Sequence, residues 1–166
     1  MKYLSLLILS AIVFISAGCG KGQEEKIAEK AIEKQLGEGT KADISDDSVS
    51  IESKDKKTRI TAGKNATVPE DFPKDIYIYP DSRVEGTVKT PTGKMVTLVS
   101  QDDVAKIFET YQKEMKSLGW EEQTTMNMNG QAVLTLKKDE RAANITIAGV
   151  EQAGGNRIML LHMKKQ

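Results

Sequence analysis

The stretch SQDDVAKIFETYQKEMKSLGW, Ser100 to Trp120, decides how this chain folds. Val104, Ile107, Phe108, Tyr111, Met115 and Leu118 recur at helical spacing and share one face. The spacing predicts a helix over Gln101–Leu118. Ser100 precedes it as a cap, with Asp103 three positions on, a loose capping box. Gly119 supplies a left-handed ending, and Trp120 is placed to fold back onto Met115.

Outward from this helix the pattern changes to period two. Val84–Thr90 and Met95–Val99 predict a hairpin turning at Thr90-Pro91-Thr92-Gly93. After the helix, 120–128, 131–137, 143–150 and 157–164 predict four strands. Asn129-Gly130, Asp139-Glu140 and Gly154-Gly155-Asn156 mark the turns between them. The expected fold class is α+β: a curved antiparallel sheet packed on one main helix, ordered as two strands, the helix and four strands. A small helix plus short strands precedes it.

That preceding part begins with an amphipathic helix over Glu24–Leu36, closed by Gly37 and Gly39. Ala42-Asp-Ile44, Val49-Ser-Ile51 and Thr58-Arg-Ile60 alternate as short strands. Gly63, Asn65, Pro69 and Pro73 then break regular structure. The expected organisation is 1–18 as a signal peptide, 19–62 as a lipidated tether with helix and short strands, 63–73 as a linker, and 74–166 as the α+β domain.

The first 19 residues carry the export reading. Lys2 is followed by an apolar run, Leu4–Ile15, interrupted only by Ser5 and Ser10, and then by small residues. This is the order of an export signal, and the run is short of the roughly 20 apolar residues that a spanning helix needs. Ser16-Ala17-Gly18-Cys19 resembles the bacterial lipobox, with serine where leucine is usual. The resemblance implies cleavage before Cys19 and acylation there, anchoring the protein to a membrane of the cell envelope. Cys19 is the single cysteine of the chain, which excludes an internal disulfide. Gly20 rather than aspartate after it implies the periplasmic side of the outer membrane in a double-membraned cell.

The mature part resembles small uncharacterised bacterial lipoproteins. The motifs are Val68-Pro-Glu-Asp-Phe-Pro73 leading to Ile78-Tyr79-Pro80, then Tyr111-Gln-Lys-Glu-Met115 with Leu118-Gly119-Trp120. The resemblance brings no catalytic residue with it.

Composition narrows the function. Lysine and arginine balance aspartate and glutamate at 24 each, and aromatic residues are 5%, so neither charge nor stacking points to nucleic acid. No cofactor is expected. The one histidine, His162, is expected on the opposite strand face from Leu161 and Met163, as a structural or exposed residue rather than a catalytic one. No Gly-x-Ser-x-Gly turn and no calcium loop occur. Met126, Met128, His162 and Met163 are soft ligands in type, yet alternation separates His162 from Met163.

The expectation is therefore a non-enzymatic, lipid-anchored binding or interaction module without a metal or catalytic site. Its partner is an envelope protein or a small ligand. The alternatives are an envelope hydrolase with an unrecognised site and a soft-metal-binding envelope protein. A single helix covers one sheet face. The candidate partner surface is the other face, around Met159, Leu161 and Met163, where the last strand is apolar on both sides.

Overall fold

Alternating segments from both halves of the sequence join one sheet. The computed structural model describes residues 21–36, 39–45, 47–128, 130–150 and 154–164. Within them α1 is Lys21–Leu36, followed by β1 (Lys41–Ser45), β2 (Ser48–Glu52) and β3 (Arg59–Gly63). Then come β4 (Arg83–Lys89), β5 (Gly93–Ser100) and α2 (Val104–Ser117). The last strands are β6 (Glu121–Met128), β7 (Gln131–Lys138), β8 (Arg141–Val150) and β9 (Gly155–Lys164). All nine strands pair antiparallel in the order β1-β2-β3-β4-β5-β9-β8-β7-β6. Helix α2 carries the chain from β5 to the far edge, and three successive hairpins return it to β5.

This overturns the expected fold class. The protein is mostly β, and its short early strands continue the main sheet. The joint is β3 on β4, where Ile60 pairs with Val88 and Ala62 with Gly86. The physical reason is the free edge of β4. An unpaired row of N–H and C=O groups is filled by the nearest strand of matching alternation. At the other end, α1 closes the edge: the N–H groups of Ala42 and Ile44 donate to Glu33 Oε1 (3.4 Å) and Glu29 Oε1 (3.1 Å).

The core lies between α2 and the sheet. Ile107, Tyr111 and Met115 meet Leu98, Leu134, Leu136, Ile145, Ile147, Ile158 and Leu160, all at 1% exposure or less. Asp103 caps α2 without a side-chain hydrogen bond, while the Ser100 hydroxyl accepts the Asp102 N–H instead. At the other end Gly119 adopts φ +82° and the Trp120 N–H reaches the Met115 carbonyl at 3.0 Å. That is the left-handed ending expected from the sequence.

The Pro- and Gly-containing segment 64–82 has no strand, yet it is a strap over the core rather than a bare connection. Phe72, Ile76 and Tyr79 are buried at 5%, 3% and 4%. Asp75 clasps the strap to the β7–β8 hairpin. It accepts two hydrogen bonds from Arg141 (2.9 and 2.7 Å) and one from Lys138 (2.9 Å). Its carbonyl takes the Trp120 indole N–H at 2.6 Å, and Arg141 stacks over the same indole. The Arg141 guanidinium, aided by Lys138, holds the Asp75 carboxyl well below the usual carboxylate range.

Candidate functional site

Strand alternation sends every second residue to the face away from α2. In β9 these are Met159, Leu161 and Met163, while Ile158, Leu160 and His162 point to the α2 side. Register then builds rows across the sheet. Leu161 lies opposite Met95 of β5 and Asn144 of β8. Past Met95 the row continues through Val88, Ile60 and Ile51. Met159 lies between Thr97 and Thr146, and beyond Thr146 come Val133 and Met126.

The result is a mixed surface in which methionines and Leu161 are interleaved with Thr97, Thr135, Asn144 and Thr146. Met159 is 36% exposed, Met163 42%, Met126 41% and Met128 63%; Leu161 and Met95 are half-buried. Beside Leu161, Asn144 donates to the Thr135 hydroxyl (3.2 Å) and accepts from the Thr146 hydroxyl (3.0 Å). One end is closed by an ion pair, Arg157 with both oxygens of Glu85 at 2.6 and 3.1 Å. Helix α2 is on the opposite face. Helix α1 packs on β1, five strand positions or roughly 24 Å from β9. Unbranched methionines bend to fit irregular apolar shapes.

The three residues expected to share a surface therefore do share it, and they gather Met95 and Met126 from distant sequence. Cys19 and the export segment lie outside the described residues. Among the described residues no helix is long and apolar enough to cross a membrane. His162 is 3% exposed and lies on the opposite face from Met126, Met128 and Met163, so those four side chains do not converge. Its Nε2 has no hydrogen-bond partner, which the sequence did not indicate. Asp102, just before α2, is engaged structurally, accepting from Tyr79 Oη (2.6 Å) and Lys106 Nζ (2.8 Å). Those contacts, Lys106 first, lower its pKa. Sequence reasoning missed the Asp75–Lys138–Arg141 clasp, because Asp75 lies more than 60 residues from the other two.

A second concavity, about 460 Å³, lies between the strap and the end of α2, lined by Val68, Phe72, Tyr77, Ile78 and Leu118. It is shallow, and Phe72 on its wall belongs to the core.

A family model described as START domain-like matches residues 82–155, from the start of β4 to beyond β8. The likeness is to a helix-grip sheet and is compatible with a ligand-binding module. Comparison with curated proteins and with solved structures finds no match.

Proposed function

We propose that this chain is a membrane-anchored envelope lipoprotein, acylated at Cys19, whose sheet binds a ligand or partner without chemistry. The observation that carries the binding site is the methionine-rich face around Leu161, opposite α2, with the Asn144–Thr135–Thr146 hydrogen bonds set into it. Its chemistry suits a ligand that is largely apolar with a few polar groups. The likeness to a START-like model over 82–155 supports a binding role, and the small-residue box ending in Cys19 supports the anchor.

Leu161→Glu tests the site. The mature chain without its lipid should bind an apolar fluorophore such as anilinonaphthalene sulfonate saturably, and the variant at least tenfold more weakly. A half-buried position should cost about 1 kcal/mol, or a melting shift of roughly 3 °C. A variant that binds normally, or that melts far lower because Leu161 is core, contradicts the assignment. For the anchor, a radiolabelled fatty acid should label the wild type and not Cys19→Ser; equal labelling contradicts it.

A further inference from the structure

Lysines are distributed along this neutral chain, yet five of them meet at one place. A recess of about 390 Å³ opens where the β4–β5 turn meets the ends of β3 and β9. Lys56, Lys57, Lys89, Lys94 and Lys164 line it, with Asp71 as the single carboxylate. It lies on the α2 side of the sheet, since Lys89, Lys94 and His162 form one cross-strand row there. It is thus separate from the methionine face and independent of the function proposed for it.

Two features set it apart from a solvated charge cluster. The first is how its charges are partnered. Asp71 is shared by Lys89 Nζ (2.7 Å) and Lys94 Nζ (3.0 Å), and Lys94 also donates to the Asp71 carbonyl. Lys56 and Lys164 have no carboxylate partner among the described residues. The second is His162, a lining residue that is 3% exposed, which sets a titratable ring against the lysines of the recess. The turn supplies further polar atoms. Thr90 and Thr92 line the recess, and Gly93 lets the turn lie against β9, since a Cβ there would sit 2.5 Å from the His162 carbonyl.

We infer that this recess binds a phosphate-type anion, held by Lys56 and Lys57 of the β2–β3 connection, Lys89 of β4, Lys94 of β5 and Lys164 of β9. Asp71 occupies part of that place when no ligand is bound. Phosphate carries more negative charge and more acceptor oxygens than the one carboxylate that Lys89 and Lys94 now share, so it can engage more of the five ammonium groups. Burial keeps the His162 pKa low, and Lys94 from β5, Lys164 from its own strand and Arg141 from β8 add to this against Asp75 of the strap. A bound anion adds negative charge beside this ring and raises its pKa.

His162 is the only histidine, so its ring signals need no assignment. Titration of the mature chain with inorganic phosphate, followed by calorimetry and by ring proton shifts against pH, should show saturable binding and an upward shift of the ring pKa. Lys94→Gln should weaken binding at least tenfold, Asp71→Asn should strengthen it severalfold, and Lys113→Gln on the exposed side of α2 should change nothing. Sedimentation with phosphatidylglycerol and phosphatidylcholine vesicles separates the sources. Binding to the first vesicle alone, lost in Lys94→Gln, supports the site with a lipid headgroup as its phosphate. Binding to neither free phosphate nor anionic vesicles, or binding indifferent to Lys94 and Asp71, overturns the inference.

Discussion

Strands β7 and β2 both alternate apolar and polar residues, yet Leu134 and Leu136 of β7 are at 0% and 1% exposure while Val49 and Ile51 of β2 are half-exposed. The difference lies in which face is apolar and what covers it. In β7 the apolar set points at α2. In β2 and β3 the residues on the α2 side are Ser50, Glu52, Arg59 and Thr61, and the apolar set faces the other way, in the rows that lead to Met95 and Leu161. The sheet thus changes its apolar side across β4. One half is a core under a helix, and the other half extends the methionine face.

The comparison breaks most severely by truncation. We propose that residues 74–166 fold without the preceding chain, at a cost of several kcal/mol, because Phe72 and the pairing of β3 on β4 go with it. A cooperative thermal transition by circular dichroism is the expected outcome. An unfolded fragment would mean that the two halves are one cooperative unit.

Next in size is a pair of substitutions. Leu134→Ala should cost about 2–5 kcal/mol in urea unfolding, the range for deleting a large side chain from a full core. Ile51→Ala should cost about 1 kcal/mol. Equal costs would show that something buries the methionine face as fully as α2 buries the other.

The clasp comes third. Asp75→Asn should lose about 1.5–3 kcal/mol, the usual worth of hydrogen bonds to a charged group. The pKa of Asp75 is lower folded than unfolded, so its contribution is complete above the unfolded value of about 3.9 and is lost as pH falls below it. Asp71 acts in the same direction, held down to about 2 by Lys89 and Lys94. Acid unfolding of Asp75→Asn should therefore show a shallower loss of stability below pH 4 than the wild type, and parallel curves would contradict the role of the clasp.

Local pattern was legible where the physics is local. The α2 stripe, the Gly119 ending and the hairpin turns each depend on residues a few positions apart. Strand positions followed from alternation for the same reason. The joining of β3 to β4 was not legible, because pairing across residues 64–82 depends on a free edge that exists only after folding. Pro69 and Pro73 read as a boundary, yet they flank Phe72, which the core takes up. The lysine recess and the Asp75 clasp are likewise assembled from residues far apart. The apolar second side of β9 could be read directly, since Ile158 and Leu160 alternate with Met159, Leu161 and Met163.

We propose that the face around Leu161 receives an apolar ligand, while the core under α2 is closed to it. Methionine methyl groups report on both at once. Met95, Met126, Met128, Met159 and Met163 lie on the first, and Met115 is fully buried under the second. In mature protein carrying ¹³C-methyl methionine, titration with anilinonaphthalene sulfonate should shift Met95, Met159 and Met163 most, with Met115 unmoved. Shifts centred on Met115, or none on β5 and β9, would contradict the account.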